Sequence, residues 1–248
     1  MLSMANVKIV NEITRYRPSR GLQGILSVTF FLIVLFMVNA LAGALWLATH
    51  NLQTDSAIFF MMFVTGGVLL LYAGIFLFAA SHSEVYLGPE KATFVLPNWR
   101  GPTPLFPYTE CEVAYKDLAA VETRGEIYRY LVLPVIVQSA CLVRKDGKRL
   151  TLGYVRENSE DPPMPFHTIA AQIAERAGVP VTHRGIVEGN AGLRALIQDE
   201  PGWDAPELSA ERLESVRKLE SISWKLLIAT LAVAAIAAIA FQASRLVG

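Results

Sequence analysis

Charged side chains are scarce in this chain. Asp, Glu, Lys and Arg make up 18% of its 248 residues, whereas about a quarter is usual in a soluble protein. The shortage is concentrated in three apolar blocks, a distribution typical of a membrane protein that carries one extramembrane domain. The 22 basic residues balance the 22 acidic residues, so the net charge offers no argument for nucleic acid, and no nucleic-acid partner is expected.

Cysteine and the common catalytic motifs are also scarce or absent. The two cysteines, Cys111 and Cys141, lie in neither a CxxC motif nor a Cys/His cluster, so no metal site is expected. The sequence contains no P-loop, GxGxxG, HExxH or GxSxG motif. No charged residue lies inside an apolar block, so the usual marker of an ion or proton path is missing. The sequence therefore predicts no catalytic, cofactor-binding or metal-binding residue, and the protein is not expected to be an enzyme.

The three apolar blocks predict three transmembrane helices, since roughly 20 apolar residues cross the hydrocarbon core. The first two blocks are separated by a short loop and predict a helical hairpin over residues 24–80. A third helix is predicted over residues 206–242. Because this helix is longer than the membrane is thick, roughly 25 Å of it is expected to stand in the cytoplasm as a stalk. Residues 243–248 then form a C-terminal tail.

The distribution of basic residues predicts the orientation. The loop at residues 50–56 contains no Lys or Arg, whereas the N-terminal tail, residues 1–23, contains four. By the positive-inside rule, the tail and the central domain face the cytoplasm and the C-terminus lies outside. Frequent arginine and alanine hint at a bacterial genome, which predicts a multi-pass protein of the bacterial inner membrane. Within the tail, residues 7–16 are expected to form a short helix on the membrane surface. The basic residues of the tail are Lys8, Arg15, Arg17 and Arg20.

Residues 81–180 predict a cytoplasmic α+β domain in which a row of strands is followed by one capping helix. Two β-rich runs around a Gly-Pro turn indicate a first hairpin. An apolar stripe at helical spacing, ended by Gly178, indicates the helix. The predicted segments are a hairpin over 83–96, a proline-rich loop over 97–107, strands over 110–115 and 118–124, a helix over 163–177 and a linker over 181–205.

A second hairpin is predicted around Asp146 and Gly147, because Asp-Gly between two β-rich runs favours a two-residue type I′ turn. This register places like charges opposite each other, which destabilises a sheet by some tenths of a kcal/mol. The tip is therefore a candidate binding site for anionic lipid or for an acidic partner; the alternative is a solvated tip without a ligand. The basic residues concerned are Arg144, Lys145, Lys148 and Arg149.

The order of strands from residue 83 to 155, closed by the helix, resembles the bacterial PH-like domains of small membrane proteins. The stretch Tyr115-Lys116-Asp117-Leu118-Ala119-Ala120-Val121-Glu122 is similar to their aromatic-x-Asp-Ile-x-x-Val strand start. The resemblance implies a PH-like β-barrel or sandwich closed by one helix, attached to two or three membrane helices. It also implies a non-enzymatic role in scaffolding, complex assembly or partner binding. The first hairpin loop, residues 88–91, lacks the basic cluster of phosphoinositide-binding PH domains.

Three functions remain open on this evidence. The first is a membrane-anchored interaction protein, a subunit or assembly factor of a larger membrane complex, with a membrane protein as partner. The second is a lipid-surface binding module that acts through the basic hairpin, with membrane lipids as its ligand. The third is a component of a membrane enzyme or transporter. The missing catalytic motifs and the uncharged spans favour the first.

Overall fold

Two long apolar helices, α1 (Arg20–Thr49) and α2 (Ser56–His82), pack against each other. The computed structural model describes residues 5–10, 13–49, 56–130, 133–157, 159, 162–191, 201–223, 225–226 and 229. By length and composition, α1 and α2 could each cross a membrane, and most of their side chains are exposed. They are the two candidate spans among the described residues, and most of the predicted third span lies outside those residues.

The contact between α1 and α2 relies on small residues. A Cβ atom at Gly66 would lie 2.7 Å from Cγ of Met37, and one at Gly74 would lie 3.4 Å from Cε2 of Phe30. Glycine therefore lets the two backbones approach closely, as is common in membrane helices. A polar side chain in the middle of α1, Asn39, donates a hydrogen bond of 2.7 Å to the carbonyl of Leu35 in its own helix. The amide is thus satisfied without a partner from another helix.

Five antiparallel strands form the first sheet, and they follow one another in chain order. Strand β2 leads directly into α1, and α2 ends two residues before β3 begins. Because β2 also pairs with β3, the two helices are joined to two adjacent strands of the sheet. The strands are β1 (Ala5–Val10), β2 (Ile13–Pro18), β3 (Glu84–Leu87), β4 (Lys91–Arg100) and β5 (Thr103–Ala114).

Four strands form the second sheet, in the order β8-β7-β6-β9, with β9 parallel to β6 and the other pairs antiparallel. A single 3-10 turn, Tyr115–Asp117, connects the two sheets. Helix α3 (Phe166–Ala177) ends at Gly178, whose φ of 63° is readily adopted by glycine. The strands are β6 (Leu118–Tyr130), β7 (Leu133–Arg144), β8 (Arg149–Arg156) and β9 (Val181–Ala191).

One hydrophobic core joins the two sheets and α3. The predicted apolar stripe of α3 is confirmed, since Ile169 and Ile173 are fully buried. Beside them lie Phe94 of the first sheet and Leu142 of the second. The parallel strand β9 follows from this arrangement, because α3 carries the chain back across the sheet before β9 pairs with β6.

The predicted fold class was wrong in two respects. The described residues contain two candidate spans, not three. The strands form two separate sheets that do not close into a PH-like barrel, since β5 and β8 end their sheets and do not pair with each other. The physical reason for the two sheets is that strands form at two places in the chain where the sequence analysis predicted none. Of residues 7–16, predicted as a surface helix, residues 7–10 belong to β1 and residues 13–16 to β2, and β9 occupies much of the predicted linker.

The segment predicted as a free-standing stalk packs against the second sheet. Residues 206–209 are not helical, and a helix, α4, covers residues 210–223. Val216 of α4 is only 4% exposed and packs against Ile127 and Ile136. Nη2 of Arg217 lies 2.9 Å from Oε1 of Glu157. The apolar stripe of this amphipathic helix is therefore used within the domain.

Candidate functional site

The helices define two ends of the domain, which we call the helix end and the far end. Strand β3 begins where α2 ends and runs away from it, so the β3–β4 turn lies at the far end. Strand β4 returns, and its register places Val95 opposite Glu84, the first residue of β3. The remaining part of β4 and the start of β5 therefore extend back beside the end of α2.

Aromatic contacts hold the β4–β5 hairpin against α2. The ring centroid of Phe78 lies 4.6 Å from that of Phe106 and 5.1 Å from that of Tyr108. The ring of His82 stacks on Phe78 at 3.8 Å.

The proline-rich segment 97–107 was predicted as a loop, but in the structure it is mostly strand. Its prolines are tolerated because β5 is an edge strand and Pro97 borders a register shift.

A pocket of about 240 Å³ lies at the helix end, and we call it the junction pocket. Five parts of the chain meet there: the start of α1, the end of α2, the β4–β5 hairpin, the end of β8 and the segment before α3. Most of its wall is apolar, and among the residues that the structure describes, Arg156 is the one charged side chain that lines it. The lining residues are Pro18, Leu22, Leu26, Phe76, Ala79, Ala80, Ser83, Trp99, Pro102, Pro104, Tyr154, Val155, Arg156, Ser159, Pro162, Pro163, Met164 and Phe166.

Trp99 fixes the inner wall of the junction pocket. Its Nε1 atom donates a hydrogen bond of 3.1 Å to the carbonyl of Leu152. Its ring makes edge contacts with Tyr154 and Phe166, at centroid distances of 5.8 and 6.0 Å. An aromatic wall whose polar atom is already hydrogen-bonded presents an apolar surface to the pocket.

A buried charge cluster lies on β6, away from the predicted site. Alternate residues of a strand point to one face, and here they are Glu122, Arg124, Glu126 and Tyr128. Nε of Arg124 donates to Oε1 of Glu126 at 2.8 Å, and the two side chains are 1% and 0% exposed. Glu126 also accepts hydrogen bonds from Tyr128 at 2.6 Å and from Ser139 at 3.0 Å. The buried carboxylate therefore has a cation and two hydroxyl donors.

The β6 charge cluster also holds the segment that precedes α4. The guanidinium of Arg124 donates to the carbonyls of Gly202, at 2.7 Å, and Pro201, at 2.9 Å, and lies 4.3 Å from the ring centroid of Trp203. Glu122 accepts a hydrogen bond of 3.1 Å from Nε of Arg149 and bonds from Arg184. All of these charges are paired, and Glu122, Arg124 and Glu126 are closed to water, so we interpret the cluster as structural.

The predicted basic hairpin forms, but its register differs from the prediction. The amide of Arg144 donates to the carbonyl of Lys148 at 2.9 Å, and Val143 lies opposite Arg149. The loop therefore has three residues instead of two, and its last residue is Gly147 at a φ of 82°. Three-residue loops with glycine at this position are the next most common hairpin connections.

The four basic residues of the hairpin do not form one cluster. Arg149 turns to Glu122 and Asp204, and Arg144 lies 3.6 Å from Asp146. Lys145 and Lys148 are exposed, and the amide of Lys145 donates to Asp117 at the connection between the sheets. This connection follows the end of β5 that pairs with Lys91, so the tip lies at the far end of the domain. Binding of anionic lipid or of an acidic partner by these residues stays a prediction.

The two cysteines are unreactive in this fold. Burial raises the pKa of the Cys141 thiol to about 12 and raises the pKa of Cys111 above its ordinary value. The thiolate is the form that binds metals and attacks substrates, so both side chains are neutral at physiological pH. In the part of the chain that the structure describes, no group of three or more His, Cys, Asp or Glu side chains could hold a metal ion.

Comparisons of the chain with protein-family models, curated proteins and solved structures found no match. The resemblance to PH-like domains therefore stays a prediction. Sequence analysis missed both the junction pocket and the β6 charge cluster. The sequence does carry a signal for the cluster, since Glu122, Arg124 and Glu126 occupy alternate positions of β6. It carries no comparable signal for the pocket, whose walls come from five distant segments.

Proposed function

We propose that this protein is a non-enzymatic, membrane-anchored interaction protein, a subunit or assembly factor of a larger complex in a bacterial inner membrane. The observation that carries the proposal is the direct joining of the helix pair to the β2–β3 strand pair. A domain attached through two paired strands has a set orientation to the bilayer. It can therefore hold one face toward a neighbouring membrane protein.

Polar contacts support this rigid attachment. Arg15 of β2 forms an ion pair with Glu84 of β3, and Tyr86 donates to Glu84 at 2.7 Å. Burial alone would raise the pKa of Glu84, but the bonds from Arg15 and Tyr86 hold that pKa below its ordinary value. On the helices, Nε2 of Gln23 donates to the carbonyl of Ala80 at 2.9 Å. The strands and the helices are thus cross-linked by hydrogen bonds at the point where they join.

The exposed helix faces are the surfaces that we assign to the partner. Helix α2 turns Gly66, Ala73 and Ala80 toward α1. Val64, Val68 and Leu71 form a stripe at helical spacing that points elsewhere, and all three are exposed. Apolar stripes in a bilayer can pack against other helices through van der Waals contact. If a partner helix binds this stripe, the fixed orientation of the domain determines which of its faces is turned toward that partner.

We further propose that the domain faces the cytoplasm. Residues 1–23 include four basic side chains and the loop at 50–56 has none, which favours a loop on the outside. In a variant that lacks Cys111 and Cys141, an impermeant thiol reagent should label a cysteine at Gln53 in intact cells. A cysteine at Lys145 should be labelled only after permeabilisation. Labelling at residue 145 in intact cells would overturn the orientation.

Site-specific photo-crosslinking tests the interaction function. A photoreactive amino acid placed at Val64, Val68 or Leu71 of the full-length protein in native membranes should yield a cross-link to the same membrane protein at all three positions. The matched control is Ala73, which is buried against α1 and should yield links within the chain. Adducts to lipid alone at all three exposed positions would argue against a partner on this face.

A further inference from the structure

The junction pocket is distinct from the helix stripe that we assign to a partner protein. We propose that this pocket binds one acyl chain of a membrane phospholipid, drawn from the leaflet next to the domain. The inference does not depend on the proposed function, because it concerns a site for lipid and not the surface for a partner protein. Either proposal can fail while the other holds.

The position of the pocket gives a lipid chain direct access. Leu26 lies six residues after the start of α1, and Phe76 lies six residues before the end of α2. At 1.5 Å per residue, each of them lies about 9 Å from the end of its helix that joins the domain. Since both line the pocket, its wall continues the helix surface that contacts the bilayer. An acyl chain can therefore enter without crossing water.

The chemistry of the wall suits a ligand that forms no hydrogen bonds. Five of the lining residues are prolines, which have no backbone N–H to donate. The indole N–H of Trp99 is already bonded to Leu152, and Phe166 and Met164 are buried apolar side chains. A polar ligand would lose its hydrogen bonds to water here with little compensation. The prolines are Pro18, Pro102, Pro104, Pro162 and Pro163.

Arg156 gives the pocket a charged edge that fits a headgroup phosphate. Its Nη2 forms an ion pair with Oε1 of Glu220 at 3.7 Å, and its side chain remains 39% exposed. Burial raises the pKa of Glu220, although Arg156 opposes this effect. Arginine binds phosphate through parallel N–H donors. A phospholipid whose chain enters the pocket can thus place its phosphate beside this guanidinium.

The walls favour a lipid chain over a helix of a partner protein. A helix with side chains is about 10 Å across. To enter, it would have to separate α2 from the β4–β5 hairpin, which the contacts of Phe78 with Phe106 and Tyr108 hold together. A slender acyl chain can lie in the pocket without this separation.

A photoactivatable phospholipid tests this inference. The full-length protein is placed in nanodiscs that contain a phospholipid with a diazirine near the end of one acyl chain, and adducts are located by mass spectrometry. Besides adducts on α1 and α2, we expect adducts on the domain, at Trp99, Pro104 or Met164. Adducts on the helices alone would overturn the proposal.

Variants separate the pocket from general lipid contact. Ala79→Trp should reduce adducts on the domain by about tenfold, because the indole occupies the space of the chain. Leu45→Trp, at a 60% exposed position of α1 that lines neither the pocket nor the partner stripe, should leave these adducts unchanged. Leu22→Trp offers a second way to fill the pocket if Ala79→Trp does not fold. Equal labelling of the domain in the filled variants and in the parent would contradict the proposal.

The role of Arg156 is tested with a second probe. A diacylglycerol carrying the same diazirine has the chains but no phosphate, and it should label the domain less than the phospholipid does. In Arg156→Gln this difference should disappear while adducts on α1 and α2 persist. If diacylglycerol labels the domain of the parent protein as strongly as the phospholipid, the phosphate part of the proposal fails.

Discussion

Replacing Arg124 by Met should lower the free energy of unfolding by about 3–5 kcal/mol, the usual cost of removing one partner from a buried ion pair. The carboxylate of Glu126 is 0% exposed and would lose its cation. The loss also removes the donors to the carbonyls of Pro201 and Gly202 and the contact with Trp203. We therefore expect the segment at 201–204 to detach from β6 as well.

Thermal unfolding of the full-length protein in detergent measures this effect, and proteolysis near residue 203 reports the detached segment. Arg129→Met is the matched control, because Arg129 is on the same strand but 44% exposed, in an ion pair with Glu188; its loss should cost about 1 kcal/mol or less. The double variant Arg124→Met with Glu126→Leu should regain much of the stability, since apolar replacement of a whole buried pair is often neutral. Equal stability of the two single variants would refute the structural role of the cluster.

Replacing Tyr16 by Ala should lower the free energy of unfolding by about 3–5 kcal/mol, as is typical for a buried aromatic side chain. Tyr16 is 2% exposed and belongs to the core that contains Val85 and Phe94. Removing its ring leaves a cavity beside β3, at the strand pair that joins the helices to the domain. The expected result is a protein whose domain unfolds at a lower temperature while α1 and α2 remain in the detergent micelle.

Ile13→Ala is the control for this experiment. Ile13 is on the same strand but 42% exposed, and its replacement should change stability by about 0.5 kcal/mol or less. Circular dichroism at a wavelength sensitive to strands follows the domain in both variants. If the domain of Tyr16→Ala unfolds at the same temperature as that of Ile13→Ala, the segment before α1 is not part of the core.

Local patterns predicted the elements whose stability comes from their own residues. The apolar runs of α1 and α2 are visible from composition, because each helix satisfies its own backbone hydrogen bonds. The stripe with Ile169 and Ile173 predicted α3, and Gly178 marked its end. The Asp146-Gly147 pair predicted the second hairpin, though not its three-residue loop, because the side chain of Asp146 accepts a bond from the amide of Lys148.

Strands that need a distant partner were not predicted. Thr14 and Tyr16 alternate with Arg15 and Arg17, which is a strand pattern, but six residues of it are too few to distinguish from a helix. Strand β2 forms because the helix pair returns the chain to it nearly 70 residues later, where Arg15 meets Glu84 (a separation of 69 residues). The same dependence on distant contacts explains the missed strand β9.

The candidate sites differ in how much of each one the sequence could predict. The alternation of Glu122, Arg124 and Glu126 is local, but the partners of these residues are not. Arg149 was assigned to the hairpin tip from its position in the chain, whereas in the fold it binds Glu122 across 27 residues. Charge alone indicates that a residue needs water or a partner, and only packing decides which of the two it obtains.

The sequence by itself determined that this protein has two helices suited to a membrane, a β-rich domain after them, and an amphipathic helix that covers the core. These features depend on composition and on periods of two or 3.6 residues, which a short window reveals. The tertiary structure alone decided that the strands form two sheets, that Arg149 pairs with Glu122 and Asp204, and that five segments enclose the junction pocket. Each of these depends on contacts between residues far apart in the chain, whose loop-closure cost is offset only when the whole core assembles.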